Sequence, residues 1–222
     1  MSHINRMTRA RSANRRHGFA GELGETRLKR LYAWWVGLSH DGRLPPLRSR
    51  FNPMDMAPFL ANVALVDVSF RPGEPLARVK LAGAALESFY GRSMKGNSLD
   101  GVEMGAEAAS LAQLVALATT QCRAVYEQNV YALPIKSKSG KVAKKPASVT
   151  IRRLALPLAE EDGSIRQMLL AQYVACDRPG ARIDASCLAD LETLPETRHL
   201  IDRDPEEEAM LAASAIREQD AA

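Results

Sequence analysis

The sequence predicts an α+β fold in which a five-stranded antiparallel sheet carries helices across one face. Two strand-like segments joined by a turn lie within residues 61–82, three more lie within residues 124–176, and helical segments separate the two groups. Hairpin-linked strands pair antiparallel, so the two groups close a single sheet when the helical middle lies across one face. A leading amphipathic helix and a C-terminal helix complete the prediction.

The leading helix is predicted to begin at Thr26 and to end near Gly42, where glycine can adopt the left-handed conformation. Its apolar face is too wide for a solvated helix, so we expect it to bury against the sheet or a second subunit. Prolines at positions 45–58 then favour no more than a short turn of helix. The residues expected to make this contact are Leu28, Leu31, Trp35 and Leu38.

The first predicted hairpin joins Ala61–Phe70 to Leu76–Ala82 through a turn that is rich in proline and glycine. In its second strand the apolar residues Ala77, Val79 and Leu81 alternate with charged residues, which predicts that all three face the core.

A short helix, Ala84–Tyr90, follows the hairpin and is stopped by Gly91. The clearest helical period comes next, over Met104–Cys122, where apolar residues recur at steps of three and four. Both helices are predicted to lie across the sheet.

The last three predicted strands are Ala124–Leu133, Ala147–Ala159 and Ser164–Cys176. In the second of them Val149 and Ile151 share one phase, whereas the three leucines at positions 154, 156 and 158 share the other. A bulge at Arg152–Arg153 would restore the alternation, so we predict one there.

Charge is segregated along the chain, which carries a net charge of +4. Arginines crowd the first sixteen residues, whereas acids dominate after Cys176, and Asp204-Pro205 begins a predicted terminal helix. We therefore divide the chain into a disordered basic arm (1–25), a helix with a proline-rich segment (26–60), the sheet and its helices (61–176), and an acidic tail with a terminal helix (177–222).

The stretch Val79–Leu99, VKLAGAALESFYGRSMKGNSL, resembles the central motif of a family of short, mostly uncharacterised bacterial PAS-like proteins. Trp35, Gly42-Arg43, Pro46 and Arg48–Asp55 are similar to the segment that precedes that motif, although Arg50 and Asn52 stand where the family favours acids. The resemblance covers Thr26–Cys176. It implies a PAS fold and a sensory or signalling module that binds a small molecule or a protein, commonly through dimer contacts of its leading helix.

PAS-like proteins enclose ligands between the sheet and the helices. The side chains that we expect to line such a pocket are Leu86, Phe89, Leu111, Val115, Tyr126 and Tyr131.

The cofactor of such a pocket is unknown from the sequence. Haem b is disfavoured, because all four histidines lie outside residues 61–176. Photoactive flavin is disfavoured as well. Its photochemistry needs a cysteine near the ring, in an Asn-Cys-Arg motif on the earlier short helix, whereas Gln121-Cys122-Arg123 ends the long helix. Cys122 is therefore predicted to be a buried packing residue. The three cysteines include no C-x-x-C pair, so no metal site is predicted.

The function that the sequence favours is therefore a non-enzymatic PAS signalling module, homodimeric or bound to a signalling protein, with no output domain within this chain. No run of apolar residues reaches the length of about 20 that a bilayer needs, so we expect a cytoplasmic protein that does not engage membranes.

Two alternatives stay open. The basic arm and a lysine-rich loop could bind nucleic acid or an acidic partner. Less favoured is an acid–base enzyme in which Glu127, sharing a strand face with Asn129 and Tyr131, acts as a base, because Glu127 could instead face solvent or pair with Arg123 or an arginine of the adjacent strand. The lysines of that loop are Lys136, Lys138, Lys141, Lys144 and Lys145.

Overall fold

The structure, a computed structural model, describes residues 25–39, 45–71, 74–99, 105–134, 146–178, 183, 185 and 197–200, with only the backbone given for 70, 71, 74–76, 105–109 and 197–200. Short 3-10 turns link the first helix to the sheet. The helices and strands are α1 (Thr26–Gly37), β1 (Val63–Arg71), β2 (Glu74–Ala82), α2 (Ala84–Tyr90), α3 (Gly105–Gln121), β3 (Val125–Leu133), β4 (Ala147–Ala159), β5 (Ile165–Cys176) and β6 (Thr197–Leu200).

The five predicted strands form one antiparallel sheet, and the α+β prediction is confirmed. The strand order is β2-β1-β5-β4-β3-β6, so β6 adds a short sixth strand along β3 that was not predicted from the sequence. At the opposite edge, residues 96–99 hydrogen-bond to β2, for example through Val79 N and Asn97 O at 2.9 Å. The predicted terminal helix at Asp204 lies outside the described residues.

Both faces of the sheet are covered. We call the face under α1 the outer face and the face under α2 and α3 the inner face. On the outer face Leu28 and Leu31 of α1 are fully buried against leucines of β4 and β5, and Trp35 Nε1 donates a hydrogen bond to Pro157 O at 3.0 Å. Leu38 packs at the margin of the same cluster. Of the two surfaces expected to bury this helix, the sheet of its own chain is the one observed.

β4 contains no bulge at Arg152–Arg153, contrary to the prediction. Its register with β5 runs without interruption from Val149 to Leu158 and shifts only before Ala159. The phase change has a different cause: Val149 and Ile151 belong to the inner-face core, whereas the leucines at 154, 156 and 158 belong to the outer-face core. A strand buried on both faces can carry both apolar phases.

A bulge does occur in β2, and it corrects the prediction for Leu81. Leu65 pairs with Leu81 but Val66 pairs with Val79, which leaves Lys80 as an extra residue. The insertion reverses the phase of the strand beyond Val79. Leu81 is therefore 51% exposed instead of lying in the core.

Within the described ranges, no helix is long and apolar enough to cross a membrane.

Candidate functional site

A row of three polar side chains crosses the inner face of the sheet. Glu127 of β3 pairs in register with Arg153 of β4, and Arg153 pairs with Gln172 of β5. Glu127 and Arg153 are 0% exposed and Gln172 is 2% exposed. The neighbouring row, Val125, Ala155 and Leu170, is wholly apolar, so charge appears in the middle of a hydrophobic layer.

Arg153 lies at the centre of the hydrogen-bond network. Its Nη1 donates to Glu127 Oε1 at 2.7 Å, and its Nε donates to Gln172 Oε1 at 2.9 Å. Asn129 Nδ2 also donates to Glu127 Oε1, at 3.2 Å. The network thus spans three strands.

Each inner-face helix contributes one hydroxyl to this network. Ser110 Oγ of α3 lies 3.0 Å from Glu127 Oε1 and 3.2 Å from Glu127 Oε2. Tyr90 OH of α2 donates to Gln172 Oε1 at 3.1 Å. We define the inner polar cluster as the six residues Tyr90, Ser110, Glu127, Asn129, Arg153 and Gln172.

Two amide atoms in the cluster have no hydrogen-bond partner among the described residues: Asn129 Oδ1 and Gln172 Nε2. Their orientation follows from their neighbours. Arg153 only donates, so Gln172 must turn its oxygen towards it, and Glu127 accepts, so Asn129 must turn its nitrogen towards the carboxylate. Each unmet buried group costs about 1–3 kcal/mol. Such a pair of groups invites an explanation beyond packing.

A small enclosed cavity borders Gln172 and Tyr90. Its volume is about 10 Å³, and its other walls are apolar. That volume is close to the space that a single water molecule occupies, whereas drug-sized ligands use pockets of about 300–1,000 Å³. A ligand larger than a water molecule can therefore enter this cavity only if α2 or α3 moves. The remaining lining residues are Ala64, Val79, Leu86, Met94, Leu99, Leu111 and Leu170.

The turn after α2 fixes one wall of this cavity. Glu87 accepts hydrogen bonds from Ser93 Oγ at 2.8 Å and from Met94 N at 3.0 Å. These two bonds, the first above all, hold the pKa of Glu87 below its usual value. Met94, which is 1% exposed, is thereby held against the cavity.

Five of the six residues predicted to line a pocket lie on the inner face. Leu86 and Leu111 line the cavity, and Val115 belongs to the same core cluster. Phe89 and Tyr131 belong to a second cluster on that face, with Val149 and Ile151.

Tyr126 differs from the expectation, because it packs with α1 in the outer-face core. Successive strand residues point to opposite faces, and Tyr126 lies between two inner-face residues, Val125 and Glu127. The predicted basic patch, Lys136 to Lys145, lies outside the described residues.

The sequence revealed only part of the cluster. Glu127, Asn129 and Tyr131 are all buried, and the carboxylate pairs with an arginine of the adjacent strand, one of the alternatives considered for it. Arg153 and Gln172 were not identified. Their signal was nevertheless present, since Arg153 continues the phase of Val149 and Ile151.

Cys122 does not have the buried packing role predicted for it. It is exposed and adopts a positive φ of 49° just after α3 ends, so the chain turns there and carries the side chain out of the helical stripe. In the part of the chain that the structure describes, no three His, Cys, Asp or Glu side chains gather in a way that could hold a metal ion.

An apolar groove of about 300 Å³ opens on the outer face beside α1. Leu60 and Leu81, which are 47% and 51% exposed, form part of its walls. Met54, which is 77% exposed, belongs to the 3-10 turn that contributes Pro53 and Met56 to the lining. These three are the large exposed apolar side chains of the described residues. The rest of the lining consists of Phe51, Pro53, Met56, Val63, Leu65, Ala82, Gly83 and Leu169.

Comparison with known proteins gives a family and a likeness to solved structures. A family model described as "PAS domain" matches residues 25–171. The chain is similar to the crystal structure of the Rhodobacter sphaeroides LOV protein, at 14% identity and a TM-score of 0.30, with 88% of this chain and 98% of that chain covered. No curated protein matches this sequence.

Proposed function

Because this chain belongs to the PAS domain family, whose members are sensory and signalling modules, we propose that it senses a small polar ligand at the inner polar cluster. The observation that carries the proposal is the pair of buried amide atoms, Asn129 Oδ1 and Gln172 Nε2, that lack partners among the described residues. A ligand that offers one donor and one acceptor satisfies both atoms.

The position of the cluster suits a sensor. Tyr90 connects it to α2 and Ser110 connects it to α3, while the other four members lie on β3, β4 and β5. A ligand that competes for either hydroxyl changes how a helix is held on the sheet. Differential contacts of this kind are what a ligand needs in order to shift a conformational equilibrium.

A purely architectural role is the competing interpretation, since buried ion pairs can also specify a unique packing. The two interpretations differ in how the orphan amides behave. In the architectural case no solute alters their surroundings, whereas a sensor responds to at least one solute.

We expect at least one polar fragment to shift the side-chain NH₂ resonances of Asn129 and Gln172. The measurement is a two-dimensional amide NMR spectrum of the full chain with a library of polar fragments of fewer than about ten heavy atoms, a size suited to binding through a few hydrogen bonds. Gln128, the neighbour of Asn129 that lies in contact with Tyr126 and Arg152 instead of the cluster, supplies the control resonance. A library that leaves both cluster amides unmoved contradicts the proposal.

The outer-face groove supports a second candidate function, association with another copy of this chain. α1 is covered by its own sheet, whereas Leu60 and Leu81, two of the three large exposed apolar side chains of the described residues, line the groove. Exposed apolar clusters of this kind commonly mark interaction sites.

Leu81→Lys is expected to convert a dimer to a monomer while changing the free energy of unfolding by no more than about 0.5 kcal/mol, because the side chain is half exposed. Light scattering reports the mass, and urea unfolding at low protein concentration reports the stability. Leu81→Met is the matched control, because it keeps an apolar side chain of similar size at the same position. A wild-type mass equal to that of one chain excludes this candidate.

A further inference from the structure

We infer that two copies of this chain associate reciprocally at the outer-face groove, with Met54 of each copy inserted into the groove of the other. The inference rests on the second candidate function proposed above and adds the residues and the symmetry of the contact. It follows from three features of the described surface: a preformed apolar groove, an exposed apolar side chain on a capped turn, and two exposed charges of opposite sign.

The groove is preformed. Gly83 lies directly against the 3-10 turn Leu60–Asn62, and a Cβ atom at this position would be only 1.9 Å from Leu60 O. Gly83 N also donates a hydrogen bond to Val63 O at 3.0 Å. These contacts hold the wall that carries Leu60 against the end of β2. A side chain that enters the groove therefore finds its shape already set, which lowers the cost of binding.

Met54 is presented on a capped 3-10 turn, Pro53–Met56. Asn52 caps this turn, because its Oδ1 accepts from Met54 N at 3.1 Å and its Nδ2 donates to Asp55 Oδ1 at 3.2 Å. Pro53 and Met56 line the groove, whereas Met54 is 77% exposed and is not part of the lining. The thioether side chain is therefore available to a second molecule.

A surface that contains both a projecting side chain and a groove can bind its own copy. In a dimer with two-fold symmetry the same patch lies on both sides of the contact, so each feature meets the other twice. The groove volume of about 300 Å³ equals the share of liquid volume of about ten water molecules, which is ample for one methionine side chain. An unbranched thioether also adapts readily to an irregular groove.

The charges that accompany these features are complementary. Asp55 follows Met54 in the chain, and it is exposed. Lys80, also exposed, precedes the groove residue Leu81. A second copy that seats Met54 on this wall brings Asp55 towards Lys80. Lys80 contacts Asp67 of its own chain at 3.6 Å, but an ammonium group has three donors and can serve both carboxylates.

This complementarity favours a second copy of the chain over an apolar small molecule, which would use the groove alone. An apolar centre surrounded by a polar rim is the common anatomy of protein interfaces. The opposite signs of Asp55 and Lys80 also make the patch complementary to itself, since each charge meets the other across a two-fold axis.

Met54→Gln is expected to raise the dissociation constant of the dimer about 10–100-fold, because it removes an apolar contact that is made twice. Analytical ultracentrifugation of the full chain over a concentration series measures this constant. Met54→Leu is the matched control and should change it by less than about threefold, since the side chain stays apolar and similar in size. Both variants should unfold like the wild type at low protein concentration, because Met54 is 77% exposed.

Asp55→Asn and Lys80→Gln test the charged contact. Each is expected to weaken the dimer about two- to tenfold, and the two effects should not add, because either change removes the same pair. Asparagine at position 55 keeps the oxygen that accepts from Asn52. The wild-type dimer should weaken as the NaCl concentration rises, and the double variant should depend less on salt. Strictly additive effects contradict the proposed seating of Met54.

The outcomes separate this inference from the candidate function beneath it. If Leu81→Lys is a monomer while Met54→Gln associates as tightly as the wild type, reciprocal insertion is overturned and association through the groove stands. If the wild type has the mass of one chain at every concentration, both fall. An apolar small molecule that remains bound to a monomeric chain in native mass spectrometry assigns the groove to a ligand and overturns the inference as well.

Discussion

Replacing Glu127 with leucine is expected to lower the free energy of unfolding by about 3–5 kcal/mol, one of the two largest effects that we predict. Glu127 and Arg153 are both 0% exposed, and their closest atoms lie 2.7 Å apart. Without the carboxylate, the buried guanidinium of Arg153 loses the ion pair that it makes with Glu127. Urea unfolding monitored by tryptophan fluorescence measures the change.

The double variant Glu127→Leu/Arg153→Met is the matched control. It removes both charges, and replacement of a buried ion pair by apolar side chains is often neutral or stabilising by about 1–4 kcal/mol. We therefore expect the double variant to recover most of the stability that the single variant loses. A Glu127→Leu protein as stable as wild type would show that Arg153 reaches solvent, contrary to the arrangement described above.

The fold was predictable because the apolar residues of its helices and strands recur at regular spacings. α3 and the five main strands were found within about two residues of their ends, which is the usual uncertainty of element boundaries. β6 was missed because four residues, Thr197–Leu200, carry too little alternation to distinguish a strand from a loop. Its pairing with β3 is a tertiary effect that no local pattern records.

The inner polar cluster was only partly predictable for a different reason. If one face of a strand is assumed to be exposed to solvent, a charged residue among the apolar residues of the buried face suggests a bulge. Arg153 was therefore assigned to a bulge, although it lies in the core and pairs with Glu127. Recognising the pair required the register of β3 against β4, which depends on residues 26 positions apart.

Trp35→Ala is the second variant with a large expected effect, a loss of about 3–5 kcal/mol in the free energy of unfolding. Trp35 is 2% exposed, and it stacks on Tyr32 with ring centroids 5.8 Å apart. Truncation leaves a cavity between α1 and the sheet and removes the hydrogen bond to Pro157 O. Thermal and urea unfolding should both report the loss.

Leu38→Ala is the control for this effect, because Leu38 packs at the margin of the same cluster and its truncation should cost much less. Trp35→Glu tests whether α1 packs on its own sheet or on a second copy of the chain. Light scattering reports the mass of the folded protein, and unfolding reports its stability. If α1 acts through its own sheet, stability falls while the mass of the folded protein stays unchanged. Unaltered melting of Trp35→Ala would contradict the packing of α1.

The covering of the outer face by α1 also decides where a recombinant fragment of this protein can start. A fragment beginning at Pro45 keeps every main strand but lacks α1. It therefore exposes a continuous apolar surface on the outer face, formed by Leu154, Leu156, Leu158 and Leu169. Such a surface promotes aggregation during expression. A shortened fragment should therefore begin at or before Glu25, because the carboxylate of Glu25 accepts a hydrogen bond from Arg27 N in the first turn of α1.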